Sequence, residues 1–488
     1  MSKYVANDII KIVNKIKNNS IEGVGSMEKK AKTNKAKKSN KANKTKKAKI
    51  NYEKLFNFGS LIFIIICMLW YGGRLVYFYL DSKKEVKNET VTLSMALKSN
   101  PDNKEFIKNI NDDFYFYGDA DNNYINYSNI LWRVVKINKN NTITLVTDNN
   151  IATLAYGDPE DNYEESNLIN WLNINKEKTH SGILENTLNN KEKYLTKTET
   201  CIDTINDTKN IKCKSKSNKH YLNLLSVEDY LNTGSSKSFI NNKKNTYLAN
   251  KTKDNDIWYL TNDGKVDTTD GQDILGIKAT ITLKDKINVT SGTGTKEEPY
   301  QFEDNISPIG SYVKLDEDIW RIYEEKDGIV KLMLNDTLKK DNENIQEKYS
   351  NNTYYHNDTT KGSLAHYLNN TYYNSLSYKD KILENTYNNG YYGTTNNYNY
   401  EELFNNTITT KVSIPSIEDI IFSDIKDDYF TNTGRDKNSK SIYIRNNAGN
   451  ISYKNVTAEN NIVPCISIEK VNLKAGSGTI KDPYRMEQ

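Results

Sequence analysis

The chain has 488 residues, room for two or three domains of ordinary size, and a formal net charge of +4. That charge conceals a split: residues 1–54 hold 16 Lys against four acids, whereas residues 81–488 are net −9. A basic tail and an acidic body on opposite sides of one apolar segment point to a membrane between them, and four Cys and four His leave little from which to build a metal site or a nucleophile's base.

The high Asn, Lys, Ile and Tyr content, with few Ala, Pro and Arg, is what an AT-rich coding sequence produces. Asn-x-Ser/Thr triplets such as Asn88-Glu89-Thr90 are therefore expected by chance and are not read as glycosylation sites. The Tyr-rich run YNNGYYGTTNNYNYEE, residues 387–402, has the composition of a surface on which sugars stack, but biased composition accounts for it more simply.

In chain order, residues 1–54 form a Lys-rich tail. Ile9, Ile12, Val13 and Ile16 fall at the spacing of a surface-lying helix, and Met27 is a second candidate start. From Lys29 to Lys49 no large apolar residue occurs, so this tract has nothing to bury and is expected to be disordered in the cytoplasm. Its bland role is to set topology; anionic lipid is a possible partner, and the lack of Arg and interleaved aromatics makes nucleic acid unlikely. Residues 55–80 contain the apolar stretch Phe58 to Leu80 with Arg74 as its one charge, long enough to span ~30 Å of hydrocarbon as a transmembrane helix. No small-residue cleavage site follows, so the expectation is an uncleaved signal anchor. The N-terminus then stays cytoplasmic and the C-terminal domains lie outside, in a single-pass cell-membrane protein. Residues 81–112 read as a polar stalk.

Beyond the stalk the chain repeats itself. Gly292, Gly294, Thr295, Pro299, Tyr300 and Glu303 recur 184 positions later as Gly476, Gly478, Thr479, Pro483, Tyr484 and Glu487. Near the front, Trp132-Arg133 answers Trp320-Arg321 within a hairpin pattern of alternating strand, Asn/Gly turn and β-branched return strand. Between these lie further matches: NLINWLN, with Trp171 and Asn173, and SLAHYLN, with Asn369; ILEN at 183–186 and 382–385; LLSVEDY, with Glu228, and IPSIEDI, with Glu418; IWYLTNDGKV and SIYIRNNAGNI. These landmarks predict repeat domain 1 over 113–303 and repeat domain 2 over 304–488, with the break in the 304–307 segment. Trp132 and Trp320 are expected in the core, Asn173 at a helix end, and Ser226 and Ser416 as helix caps with first-turn acids behind them. The doubled closing phrase is read as the end of each copy.

Order and wording from FYFYGDADNNYINYSNILWRVV to SGTGTKEEPY resemble repeat domains of bacterial surface proteins distantly similar to the formylglycine-generating-enzyme and C-type-lectin-like group. The resemblance covers residues 113–488. It implies mixed α+β, lectin-like domains of small antiparallel sheets; with the apolar stretch, the expected fold class is α+β, one N-terminal transmembrane helix followed by two tandem homologous domains. It implies no activity, because that group serves enzymes and binding modules alike.

Cys201 and Cys213 flank a basic loop of an exported domain and read as a disulfide. The copper-binding cysteine pair of the formylglycine-generating enzymes has no counterpart, the four histidines do not recur between repeats, and no phosphate-binding glycine loop occurs. GDADNN at 118–123 offers oxygens to calcium without the spacing of a known loop. No catalytic residue, metal set or cofactor is assigned. The expected function is a surface protein with two non-catalytic binding domains for a glycan, an envelope polymer or a protein. The alternatives are an envelope-assembly protein acting through its tether and tail, and a secreted-face enzyme.

Overall fold

The computed structural model describes residues 68–74, 91–173, 187–209, 211–303, 308–352, 360–394, 398–437 and 440–486. It divides into two compact units, Met1–Lys87 and Asn88–Gln488. In the first, residues 68–74 are helical, with Met68, Leu69, Trp70 and Tyr71 exposed. The Lys-rich tail and the rest of the apolar stretch lie outside the described residues. Among the described residues no helix is long and apolar enough to cross a membrane. The second unit is mostly β-sheet. The predominance of sheet corrects the expected α+β fold class; the expected transmembrane helix falls mostly outside the described residues.

The sheets are not small either. One has eight strands and is built on Ile130–Ile137, which alternates little because both its faces are covered. Its path through Tyr124–Tyr127, Ile130–Ile137, Ile143–Thr147, Ala279–Leu283 and Asn223–Leu224 has a strand-for-strand counterpart in a seven-stranded sheet: Tyr312–Leu315, Asp318–Lys326, Ile329–Leu334, Cys465–Glu469 and Val412–Ser413. Register agrees as well. Ile125 faces Trp132 and Val313 faces Trp320, and the long strands bulge between Val134 and Lys136 and between Ile322 and Glu324.

Two five-stranded sheets correspond in the same way. The first runs Val266–Thr269, Ile257–Leu260, Thr246–Lys251, Leu275–Ile277, Ala152–Leu154; the second runs Ile451–Asn455, Ser441–Arg445, Tyr429–Gly434, Glu459–Asn461, Gln346–Lys348. Each contains one parallel pair, Thr246 beside Gly276 and Tyr429 beside Asn461, in a sheet otherwise antiparallel. Buried side chains from both halves of the unit, Trp132 and Trp320 among them, belong to one continuous apolar cluster.

The closing phrases return to the strand that opens their half. Tyr300 bridges Ile125 in parallel and Tyr484 pairs with Val313 in parallel, while the Tyr124 and Tyr312 amides donate to the Gly294 and Gly478 carbonyls at 2.8 Å. Both glycines have positive φ, and a Cβ on either would sit 2.5 or 2.6 Å from the ring of Tyr300 or Tyr484. No side chain fits there.

Two of three local expectations need correction. The supposed stalk is folded from residue 91: Thr92 caps the Leu93–Ser99 helix, Leu93 and Leu97 are buried one turn apart, and Ile107–Ile110 pairs with Asp113–Phe116. Ser226 does cap Val227–Asn232, through the Asp229 amide at 3.0 Å. Ser416 starts no α-helix; the Asp419 carboxylate turns back to the Ser416 amide at 2.9 Å, and only a 3-10 turn, Asp419–Phe422, follows.

Candidate ligand-binding site

The repeated signature residues are structural. Arg133 lies against the Tyr124 and Phe239 rings and donates to Asn123 Oδ1 at 2.7 Å, to the Tyr124 hydroxyl at 2.8 Å and to the Ala120 carbonyl. Two oxygens of the 118–123 loop, Asn123 Oδ1 and the Ala120 carbonyl, therefore serve a guanidinium. Arg321 repeats the arrangement on Tyr312 and Phe422, with the Gly310 carbonyl taking the place of Asn123. Asn173 and Asn369 do more than end a helix. Each accepts one backbone amide, from Leu222 and Val412 respectively at 3.0 Å, and donates to the carbonyl of the same residue. Trp171, two residues before Asn173, is buried, and Pro299 and Pro483 back onto Gly292 and Gly476.

One cavity, about 600 Å³, lies in the first half, lined by Lys136, Glu228, Asp229 and the Cys201–Cys213 disulfide among others. At its base Lys136 Nζ meets Asp229 Oδ1 at 2.7 Å, and the Tyr115 hydroxyl donates to the same oxygen at 2.7 Å. Burial pushes Asp229 up, but the Lys136 ammonium and three hydrogen bonds prevail and hold its carboxyl below the usual range. Glu228 moves upward through burial. Lys136, Asp229 and Tyr115 satisfy one another in a closed ion pair, while Glu228 accepts the Cys213 amide at 3.4 Å.

The second half rewires the same place. Glu324 takes the position after the bulge and pairs with Lys331 at 3.1 Å. Glu418 accepts from Asn388 at 3.1 Å. Burial, then the neighbouring Asp419, pushes its carboxyl up to about 8.

A second cavity, about 530 Å³, opens where the two halves meet. One wall is the loop carrying Asp158 and Asp161, with Glu165, Asn167 and Asn170 beside it; Asp270 and Gln272 form another, and Tyr398, Asn399 and Tyr400 close it. Gly157 and Gly271 let the two acidic loops cross: both have positive φ, a Cβ on Gly157 would lie 2.7 Å from Asn167 Cβ, and Gln272 donates to the Gly157 carbonyl at 3.0 Å. Asn167 fixes the far wall, donating to the Tyr392 hydroxyl at 3.2 Å and accepting the Tyr400 amide at 2.7 Å. Tyr398 packs on Tyr392 with ring centroids 5.1 Å apart. Asp161 is raised by burial and then by Asp158. An aromatic wall facing carboxylates and amides can cover the C–H face of a sugar and accept its hydroxyls.

None of these cavity residues was assigned from the sequence. The one signal was the Tyr-rich run, set aside there as compositional. Its tyrosines are used unequally: Tyr387, Tyr392 and Tyr400 are buried, Tyr400 at the cavity's edge, whereas Tyr398 is half-buried and lines the cavity. No protein-family model, curated protein or solved structure matches this chain.

Proposed function

We propose that the chain is a non-catalytic, surface-exposed binding protein that takes a carbohydrate polymer into the cavity where its two halves meet. The observation that carries this is the meeting of Tyr398 and Tyr400 with Asn170, Gln272 and the carboxylates of two crossed loops. The β-rich unit is consistent with a lectin-like module. A surface location is supported by the Cys201–Cys213 disulfide, which persists in oxidising compartments, and by the order of basic tract, apolar stretch and acidic remainder in the sequence.

The test is titration calorimetry of the full-length chain against a panel of envelope polysaccharide oligomers, with Tyr398→Ala alongside. Binding weakened about tenfold or more by Tyr398→Ala, the scale of losing one aromatic anchor, supports the site. Binding untouched by that substitution places the sugar elsewhere. One feature favours a glycoside hydrolase as a second reading: Asp161 is raised beside a second carboxylate, the pairing such chemistry uses. Release of new reducing ends from the same oligomers decides for it.

A further inference from the structure

We propose that the Cys201–Cys213 hairpin is a redox-gated site for a thiophilic divalent cation, zinc by its chemistry, closed while the disulfide stands and opened when a dithiol reductant cleaves it. This goes beyond the carbohydrate reading and concerns the other cavity. Among the described residues, Cys201 Sγ, Cys213 Sγ and an Asp203 carboxylate oxygen lie within 4.8 Å of one another. Two thiolates and a carboxylate are ligands that zinc takes at four-coordinate sites, with one position left over. Both cysteines and Glu228 line the cavity of about 600 Å³, and Glu228 Oε1 accepts the Cys213 amide, so water or a Glu228 oxygen is at hand for the fourth position.

The arrangement does not depend on the S–S bond, which makes the reduced pair a site rather than two loose thiols. Thr200–Cys201 pairs with Lys216–Ser217, and the Ile202 amide donates to the Ser215 carbonyl at 3.1 Å. Asp203 accepts the Lys214 and Ser215 amides at 2.6 and 2.8 Å, which orients its carboxylate as outer hydrogen bonds orient a metal ligand. Asn250 donates to the carbonyls of Cys201 and Asp203, at 3.1 and 3.0 Å, and Trp258 Nε1 to that of Ile205 at 2.8 Å. Nor does the shared fold need the pair: between ILEN at 382–385 and IPSIEDI at 414–420 the second half has no cysteine.

Cys201 is buried but Cys213 is half-buried, open to a reductant, and Lys212 and Lys216 in the same cavity wall favour thiolates over thiols. One thiolate of the dithiol attacks Cys213 Sγ and expels Cys201 as thiolate; the second displaces Cys213 and leaves the reductant as its own disulfide. Two electrons pass to the protein, and the two protons of the dithiol go to solvent as the cation binds both sulfurs.

Full-length protein is reduced with a dithiol, freed of it without air, and titrated with Co²⁺ as the probe, then with Zn²⁺. The expected result is a single equivalent of cobalt giving a thiolate charge-transfer band and tetrahedral visible bands, erased by zinc and absent from the oxidised protein. Asp203→Asn should weaken cobalt binding about tenfold or more. Cys201→Ser/Cys213→Ser keeps Cys67 and Cys465 and should give no thiolate band; a band that persists there places the metal on those thiols and overturns the site. Reduced wild type without these bands overturns it too, leaving the disulfide as a brace alone. Unaltered affinity in Asp203→Asn overturns the three-ligand assignment. None of these readouts involves sugar binding, so the carbohydrate reading stands or falls separately.

Discussion

Lys136 Nζ and Asp229 Oδ1 lie 2.7 Å apart with both side chains about one-tenth exposed, so each ion is the other's replacement for water. Removing one partner leaves a buried charge, and Asp229→Ala should cost about 3–5 kcal/mol in urea unfolding. Lys136→Met/Asp229→Leu should recover much of that loss, because a packed apolar pair carries no desolvation penalty. A loss below about 1 kcal/mol for Asp229→Ala would show that water reaches the pair. Because the Asp229 carboxyl is held below its usual range, its stabilisation is present above the unfolded value near 3.8 and is lost as pH falls through the lower native value.

Glu418 has the opposite sign. Burial and the neighbouring Asp419 push its carboxyl up to about 8, above the unfolded value near 4.5, and Asp419 is raised beside it, so the native pair holds a proton that the unfolded state has released. Stability should therefore fall as pH rises between those values and level off above. Glu418→Gln keeps the Asn388 contact geometry without the charge, and should flatten that slope in denaturant midpoints taken across the window. An unchanged slope in the Gln variant would assign the pH dependence to other groups.

Trp132 and Trp320 are both at most 1% exposed. Replacing either by Ala should cost about 3–5 kcal/mol. Two self-contained repeats would confine each loss to one of them. The apolar cluster runs through both halves, so the transition should stay single and shift as a whole. Hydrogen exchange would expose the alternative as full protection of the 312–334 hairpin in Trp132→Ala.

Gly294→Ala and Gly478→Ala test the closing phrases. Each Cβ would press on the ring of the tyrosine six residues on, in a backbone conformation that disfavours it. A loss of about 1–3 kcal/mol is expected from each, read as a lowered melting temperature.

What could be read from the sequence was whatever lies close in the chain or is written twice. Trp132, Trp320 and the Gly-x-Gly-Thr endings carry their burial and their turns in local pattern, and Cys201 and Cys213 are neighbours across a short loop. The folded segment at 91–112 was also legible, since Leu93 and Leu97 stand one helical turn apart behind Thr92, but its polar surroundings masked them. The Asp229 partner was not, because Lys136 lies 93 residues away and reads as the polar member of a strand. The cavity was hidden for the same reason on a larger scale: Asn167 and Tyr400 are 233 residues apart, and only the packing of one half on the other brings them together.

That pair supplies the last prediction. Asn167 Oδ1 accepts the Tyr400 amide at 2.7 Å, and its Nδ2 donates to the Tyr392 hydroxyl at 3.2 Å, so one side chain aligns the tyrosine wall with the acidic loops. Asn167→Ala removes both bonds and leaves a partly buried amide without its acceptor, at a cost of about 1–3 kcal/mol. Sugar binding should weaken with it, since the Tyr398 face is then no longer held opposite Asp158 and Asp270. Asn170, by contrast, donates only to the Glu165 carbonyl within its own segment, at 2.9 Å. Asn170→Ala should therefore reduce affinity with little change in melting temperature. Equal binding losses with equal stability losses in the two variants would mean that the cavity responds to general loosening; a stable, weak-binding Asn170→Ala beside a destabilised Asn167→Ala separates the residue that meets the ligand from the one that holds the wall.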